Sequence, residues 1–198
     1  MSIEVKISKN RIPYKKAMFI LEKRVEDVKK GLKKEFIWIL EHPTTFTGGI
    51  RSNKNEILDK KIKVIKTNRG GKITLHNPGQ KIVYFVINLN KRKRDIRSLI
   101  QVLEKSIIEL LKLYNIDANS DRKNVGIWVK NKKISAIGVR VKRWIAYHGC
   151  SINISNNLNE YLKIVPCGLD NKKITSILET RNIKPKNYET KLANIFVK

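Results

Sequence analysis

The spacing of hydrophobic residues changes along the chain. Over residues 3–7 apolar and polar residues alternate, which predicts a half-buried strand. Over residues 14–32 the apolar positions recur every three or four residues, which predicts an amphipathic helix that begins after Pro13 and ends near Gly31. Residues 36–40 are then apolar at every position and predict a short buried strand.

A polar segment rich in glycine leads directly into the most apolar stretch of the sequence. Residues 68–80 read NRGGKITLHNPGQ and residues 82–87 read IVYFVI, so we predict a loop followed by a buried strand. The two glycines beside Arg69 would let backbone N–H groups approach the oxygen of a ligand closely, although such a loop is also ordinary turn chemistry. A second glycine-containing loop, residues 44–49, is expected to face the first.

The rest of the chain mixes strands and helices without strict alternation. The predicted elements are a helix over 96–111, strands over 125–130, 134–141 and 144–154, a helix from near Lys172 with 174, 177 and 178 on one face, and a last helix over 188–196. This order favours an α+β fold, a mixed β-sheet flanked by helices, with the helices on one side. The length of 198 residues suits a single catalytic domain, 1–198.

Basic residues far outnumber acidic ones. The chain has 43 Lys and Arg against 17 Asp and Glu, a formal net charge of +26. Such a charge is typical of nucleic-acid-binding proteins, but here the basic residues are scattered along the whole chain. A basic surface would also steer an acidic protein partner into contact. Because the sequence shows neither a signal peptide nor a run of about 20 apolar residues, we expect a soluble, cytoplasmic protein without a membrane partner.

Lys133 lies at the start of an apolar strand, in the segment KKISAIGVR. If its side chain points inward, its ammonium group loses solvation and its pKa falls below the usual value of about 10.4, so that it can act as a base. The neighbouring Lys132 is an equal candidate on composition alone.

The two cysteines are too few for a disulfide framework, and a cytoplasmic location would keep both reduced. Cys167 lies between Pro166 and Gly168 in a constrained turn before a predicted helix, where the helix dipole and nearby cations favour the thiolate. Cys150 lies within a predicted strand and is expected to serve in packing. The three histidines have no paired spacing, so we predict no zinc site.

Several segments taken together resemble the lipoyl(octanoyl) transferase family. They are 69–80 (RGGKITLHNPGQ), 133–138 (KISAIG), 144–151 (WIAYHGCS) and 166–168 (PCG), with further similarity at 41–43 (EHP) and 126–129 (GIWV). The resemblance therefore covers nearly the whole chain. It implies the fold shared by lipoate and biotin protein ligases.

The resemblance also implies roles for individual residues. Cys167 matches the family's nucleophile, and Lys133 matches the lysine that lowers the pKa of that cysteine. The positions that match its substrate-binding segments are Arg69, Gly70, Gly71, Lys72, Ile73, Thr74, Leu75, His76, Ala136, Ile137, Gly138, Gly149, Cys150 and Ser151.

The implied reaction moves an octanoyl group from octanoyl-acyl carrier protein, through a thioester on the cysteine, to one lysine of a lipoyl domain. The implied acceptors are the lipoyl domains of 2-oxoacid dehydrogenase E2 subunits or the glycine cleavage H protein, and no cofactor is implied. Some positions depart from the family pattern. Lys72, Leu75 and Asn77 stand where Gln, Tyr and Gly are expected, and Cys150-Ser151-Ile152 varies the Ala-Leu run expected after His-Gly. Lys72 and Asn77 affect the loop contacts, and the Cys and Lys pair is unchanged.

Two other functions compete with this interpretation. An ATP-dependent lipoate ligase of the same fold would not need Cys167, and its glycine-rich segment usually reads Arg-Arg-x-Ser-Gly-Gly-Gly, which residues 68–71 do not reproduce. A basic nucleic-acid-binding domain would cluster its aromatic residues with lysines on one face, whereas the three tryptophans lie in separate apolar strands. We therefore expect no specific nucleic-acid partner.

Overall fold

The computed structural model describes residues 3–121, 124–166, 173–183, 185–186 and 188–197. Within this part of the chain the α-helices are α1 (Tyr14–Lys29), α2 (Ile96–Lys112), α3 (Ile177–Arg181) and α4 (Tyr188–Val197). The strands are β1 (Ile3–Ile7), β2 (Glu35–Leu40), β3 (Thr45–Gly48), β4 (Val64–Lys66), β5 (Ile73–His76), β6 (Gln80–Asn88), β7 (Asn119–Ser120), β8 (Gly126–Val129), β9 (Lys132–Lys142) and β10 (Ile145–Asn153).

The strands form two mixed sheets. The larger has seven strands in the order β1-β2-β6-β10-β9-β8-β7, and only its β1–β2 pair is parallel. The smaller has the order β4-β3-β5, with β3 parallel to β4 and antiparallel to β5. The predicted α+β fold, a mixed sheet flanked by helices, is confirmed.

Helices cover both faces of the large sheet, so the prediction of helices on one side was wrong. Alternate residues of β2 and β6, such as Trp38 and Tyr84, pack with α1 on one face. The residues between them, such as Ile39 and Phe85, pack on the other face in a cluster that includes residues of α2 and α4. Strands buried on two faces must be apolar at every position, which explains the continuous runs in the sequence.

Local signals in the sequence explain where the helices begin and end. Pro13 precedes α1, and Gly31 adopts a φ of +72° just beyond its end. The side chain of Asp95 accepts hydrogen bonds from the backbone N–H groups of Arg97 and Ser98 at the start of α2. Among the described residues, no helix is both long and apolar enough to cross a membrane.

Several predicted elements need correction. Residues 44–49 are not simply a loop, because most of them form β3, and the middle of the predicted loop at 68–80 forms β5. Strand β1 is largely exposed and not half-buried, because it lies at the edge of the sheet. Ile174 belongs to no helix; it bridges to Lys133, and α3 begins after a Ser176 cap. The predicted start near Lys172 lies outside the described residues.

Candidate active site

One narrow cavity collects most of the predicted substrate-binding residues. It has a volume of about 60 Å³ and lies where the turn before β5 meets β6, β9, β10 and the start of α1. Its lining consists of Tyr14, Arg69, Gly70, Gly71, Lys72, Thr74, His76, Ile82, Tyr84, Ala136, Ile137, Gly138, His148, Gly149, Cys150 and Ser151. Of the fourteen predicted residues, only Ile73 and Leu75 are missing, because both point into the core beside the small sheet.

Other grooves are larger but lack these residues. One of about 740 Å³ lies along α2 and reaches Ser120 and Val125, and none of the fourteen predicted residues lines it. Typical ligand pockets measure about 300–1,000 Å³. The candidate cavity is therefore much smaller than a typical ligand pocket, and a ligand of that size requires its walls to separate.

Arg69 holds its own turn in place. Its Nη2 atom donates hydrogen bonds to the backbone oxygen of Thr47 at 2.8 Å and to the Thr47 hydroxyl at 2.9 Å. Its Nη1 atom donates to the backbone oxygen of Gly70 at 2.9 Å. The guanidinium group thus ties the turn before β5 to β3, and its charge lies beside the cavity.

Gly49, which follows β3, packs directly against this turn. Three backbone hydrogen bonds of 3.1–3.2 Å join the segment 49–51 to Arg69, Gly71 and Lys72. A side chain at position 49 would contact the Gly71 oxygen and would lie 2.9 Å from the Gly70 oxygen. The expectation that the two glycine-containing segments face each other is confirmed, and glycine is what allows the close approach.

A cluster of buried aromatic and histidine rings packs beside the cavity, and its members Tyr14, His76 and Tyr84 line it. The ring of His42 lies 5.6 Å from that of His76 and 5.3 Å from that of Tyr14. His42 donates through Nδ1 to the backbone oxygen of Ile12 and accepts at Nε2 from the Tyr84 hydroxyl at 2.9 Å. Burial lowers the pKa of His42 to about 4 and that of His76 to about 3. Both histidines are therefore neutral at pH 7.

The third histidine joins this cluster from β10. His148 is buried, and its ring lies 6.4 Å from the ring of Tyr84. Burial lowers its pKa to about 3, and the nearby charges of Arg69 and Arg140 contribute. The next residue, Gly149, has a φ of +159°, and a side chain there would collide with the Val83 backbone oxygen. Among the described residues, no group of three His, Cys, Asp or Glu side chains is arranged to hold a metal ion.

Lys133 is buried, with 5% of its surface exposed. Its Nζ atom donates to the backbone oxygen of Val125 at 3.1 Å and lies 5.0 Å from the ring centre of Trp128. It does not line the cavity, but it precedes the cavity residue Ala136 by three positions on β9. Lys132 instead has a side chain 44% exposed and paired with Glu179, so the structure distinguishes the two lysines.

Of the two cysteines, Cys150 lies among the described residues and Cys167 does not. Cys167, the predicted nucleophile, lies outside the described residues, as does Gly168, whereas Pro166 is described and is buried. Cys150 is buried at the cavity wall, where burial raises the pKa of its thiol to about 12. A thiol with such a pKa is a poor source of thiolate at neutral pH.

The three positions of segment 69–80 that depart from the family pattern are all accounted for in the structure. Lys72 is exposed and lies 3.2 Å from a carboxylate oxygen of Glu56. Leu75 is fully buried. Asn77 is also buried, and its amide donates to the backbone oxygen of Asn157 and accepts from Asn156.

The sequence did not assign six residues of this region to the site. Gly49 was predicted only as part of a loop, Tyr14 only as a residue of a helix, and Ile82 and Tyr84 only as residues of a buried strand. Asn68 and His148 were likewise not assigned to the site. The pair His148-Gly149 within a predicted strand offered one signal, because glycine in a strand often marks a close backbone approach. Nothing local in the sequence indicated the contact between His148 and Asn68, which are 80 positions apart.

Comparison with known proteins identifies the class to which this fold and cavity belong. The family model for the lipoyl protein ligase A/B catalytic domain matches residues 13–197, and the chain belongs to this family. Two octanoyltransferases are more specific relatives. That of Bartonella bacilliformis is 39% identical over 89% of this chain and 79% of its own length, and that of Anaplasma phagocytophilum is 40% identical over 89% and 88%. These matches place the chain among the octanoyltransferases, enzymes that transfer octanoyl groups in protein lipoylation.

Solved structures agree on the fold. A Thermoplasma acidophilum protein with bound lipoic acid has a TM-score of 0.81 at 14% identity, covering 99% of this chain and 85% of that one. A bipartite lipoate protein ligase of the same organism, studied with its E2 lipoyl domain, has a TM-score of 0.72 at 15% identity, covering 98% and 83%. The prediction of a fold like that of lipoate ligases is confirmed.

Proposed function

We propose that this octanoyltransferase takes its octanoyl group from octanoyl-acyl carrier protein, holds it as a thioester on Cys167, and passes it to a lysine of a lipoyl domain. The observation that carries the proposal is the cavity, which is lined by residues of the three predicted substrate-binding segments, 69–76, 136–138 and 149–151. Strand β9 connects this cavity to Lys133, because it carries both Ala136–Gly138 and the buried lysine.

The chemistry divides into two transfers. Lys133 accepts the proton of the Cys167 thiol, and the thiolate attacks the octanoyl carbonyl, so that the thiol of the carrier protein leaves and takes up a proton. The amine of the acceptor lysine then attacks the new thioester and loses a proton to the same base. An amide forms, and the Cys167 thiol is regenerated.

The position of Lys133 supports this role. The backbone of Lys133 bridges to Ile174, and its oxygen accepts a hydrogen bond of 3.0 Å from the Thr175 N–H group. The segment that follows Cys167 in the chain is therefore tied to β9 at the proposed base.

The cavity walls supply the remaining functions. Ile82, Ala136 and Ile137 are apolar groups that line it, and each buried CH₂ of an acyl chain contributes about 0.8 kcal/mol. The backbone N–H groups near Gly70, Gly71 and Gly138 are candidates to stabilise the oxyanion, at roughly 3 kcal/mol for each donor.

The proposed partners are proteins and not cofactors. The net charge of +26 would favour an acidic carrier protein. A lipoyl-domain acceptor is supported by the Thermoplasma ligase described with its E2 lipoyl domain. We further propose that residues 1–198 act as one catalytic domain in the cytoplasm, with no cofactor, no membrane partner and no specific nucleic-acid partner.

Intact-protein mass spectrometry after incubation with octanoyl-acyl carrier protein, without ATP, tests this proposal. We expect one octanoyl adduct that thiol reagents remove, with peptide mapping to Cys167 and not to Cys150. Cys167→Ser should form no thioester adduct, and Lys133→Ala should form it slowly. If the native protein forms no adduct and labels a lipoyl domain only with ATP and free octanoate, the ligase mechanism is correct instead.

A further inference from the structure

His148 points to the unexpected side of the large sheet. In β10 the residues Ala146 and Cys150 pack on the face that includes residues of α2 and α4, and alternation would place His148 on the same face. Its ring instead stacks on that of Tyr147, with centroids 4.8 Å apart, and contacts Tyr84; both tyrosines belong to the α1 face.

The local backbone produces this reversal. His148 has a φ of +69°, in the left-handed region that residues other than glycine seldom adopt. Gly149 follows with a φ of +159°, and the pairing of β10 with β6 continues through both residues. Backbone strain of this kind persists only where the surroundings hold it, and it is concentrated at functional sites.

The reversed ring holds the residue that precedes Arg69. The Nε2 atom of His148 lies 2.7 Å from Oδ1 of Asn68. The amide nitrogen of Asn68 donates to Glu22 on α1 at 3.2 Å, so Oδ1 is the acceptor and the proton of the imidazole lies on Nε2. Arg140 donates to the backbone oxygen of Asn68 at 3.1 Å. Asn68 is thus held by α1, β9 and β10 together.

We propose that His148 is a positioning residue for octanoyl transfer: its Nε2–H group fixes Asn68, and through Asn68 it sets the position of the turn Arg69–Gly71 at the cavity wall. This inference rests on the proposed function, because it takes the cavity as the acyl site. The other ring nitrogen, Nδ1, is buried and has no hydrogen-bond partner among the described residues, so the Asn68 contact is the polar contact that the structure gives this ring.

A set of four variants tests the proposal by steady-state octanoyl transfer. His148→Ala and Asn68→Ala should each lower kcat by about 10- to 100-fold, as a displacement of about 1 Å at a reacting group does. The KM for the octanoyl donor should change much less. His148→Gln places an amide N–H near the original Nε2 position and should restore most of the lost kcat. The double variant His148→Ala/Asn68→Ala should be no slower than the slower single variant, because both changes remove the same contact.

Asn88→Ala serves as the matched control. It removes another buried amide contact, the one by which Asn88 accepts a hydrogen bond from the Asn90 N–H group, at the end of β6 and with no cavity-lining residue beside it. This variant should lose thermal stability while keeping its kcat, which separates positioning from general destabilisation. Asn68 is only partly buried, so Asn68→Ala provides a folded test if His148→Ala does not fold.

Two results would overturn the proposal. One is a folded His148→Gln variant as slow as His148→Ala, which would show that the ring itself or its Nδ1 atom is what the reaction needs. The other is a double variant whose losses multiply, which would show that the two residues act separately. A native enzyme that transfers octanoyl only with ATP would refute the thioester mechanism instead, and the same four variants would then be compared in that reaction.

Discussion

Gly49→Ala adds one methyl group where the chain leaves no room for it. The new Cβ would lie 2.8 Å from Nη1 of Arg69 and 2.9 Å from the Gly70 oxygen, and closer still to the Gly71 oxygen. Atoms of a backbone turn cannot yield as the end of a flexible side chain can. The turn must therefore move away from β3, and the three backbone hydrogen bonds between the segments lengthen.

This displacement should lower both the free energy of unfolding and the rate of octanoyl transfer. Overpacking of this kind costs about 1–3 kcal/mol of the free energy of unfolding. A shift of about 1 Å in a segment that positions the substrate costs up to 100-fold in rate, and we proposed that the turn is such a segment. Urea denaturation measures the first effect, and the rate of acyl-enzyme formation, followed by mass, measures the second.

Gly31→Ala is the control for this experiment. Gly31 has a φ of +72°, but nothing lies within 4 Å of the position that its Cβ would occupy. We expect a loss of about 1 kcal/mol from backbone strain and an unchanged rate. If Gly49→Ala behaves like Gly31→Ala in both measurements, the close approach of the two segments is not what positions the turn, and the reasoning fails.

Three further predictions follow from buried groups. Lys81 is almost fully buried between Glu41 and Glu189, each 3.0 Å from its Nζ atom, so Lys81→Met should lower the free energy of unfolding by about 2–4 kcal/mol. Lys132→Met, at an exposed ion pair, should change it by less than about 1 kcal/mol, and equal losses for the two variants in urea denaturation would contradict this. Burial holds the pKa values of the three histidines at about 3 to 4, below their values in the unfolded chain. Their contribution to the free energy of unfolding is therefore complete above about pH 6.5 and is lost as the pH falls, at up to about 1.4 kcal/mol per pH unit for each histidine. A free energy of unfolding, measured with urea, that does not decline between pH 7 and pH 5 would refute this. Gly149→Ala should prevent stable folding in circular dichroism thermal melts, because the added methyl group meets the backbone of β6 at the centre of the large sheet; a cooperative melt near that of the native protein would contradict this.

Much of the fold was predictable from spacing because each surface strand or helix carries its own pattern. The boundaries of α2, β6, β8, β9 and β10 follow their apolar positions closely, whereas β7 consists of two exposed polar residues and was not predicted. The error about helices on one side arose from the central strands. Residues 36–40 and 82–87 are apolar at every position, which is the pattern of a sheet covered on both faces, and α1 and α2 were available to cover them.

The candidate site was predictable only where its residues are neighbours in sequence. Segments such as 69–76 were predicted as continuous runs of sequence, and most residues of each run line the cavity. Lys133 and Lys132 were indistinguishable by composition, since what separates them is the direction of each side chain from β9. Gly49 and Asn68 belong to the region through contacts between distant segments, which no local pattern encodes.

Strand pairing fixes some walls of the cavity, whereas another wall depends on contacts between loops and side chains. The walls contributed by β6 and β10 lie in strands paired on both sides, so their positions follow from the sheet itself. The turn at 69–71 is not part of a strand. It depends on the contacts of Arg69 with Thr47, on the close approach of Gly49, and on the preceding residue Asn68, which His148 holds. If the cavity is the acyl site, as proposed, its volume of about 60 Å³ must increase on binding, and the turn is the wall whose displacement leaves the strand pairing intact. Variants that loosen these contacts should therefore alter transfer more than stability, whereas variants within the central strands should do the reverse.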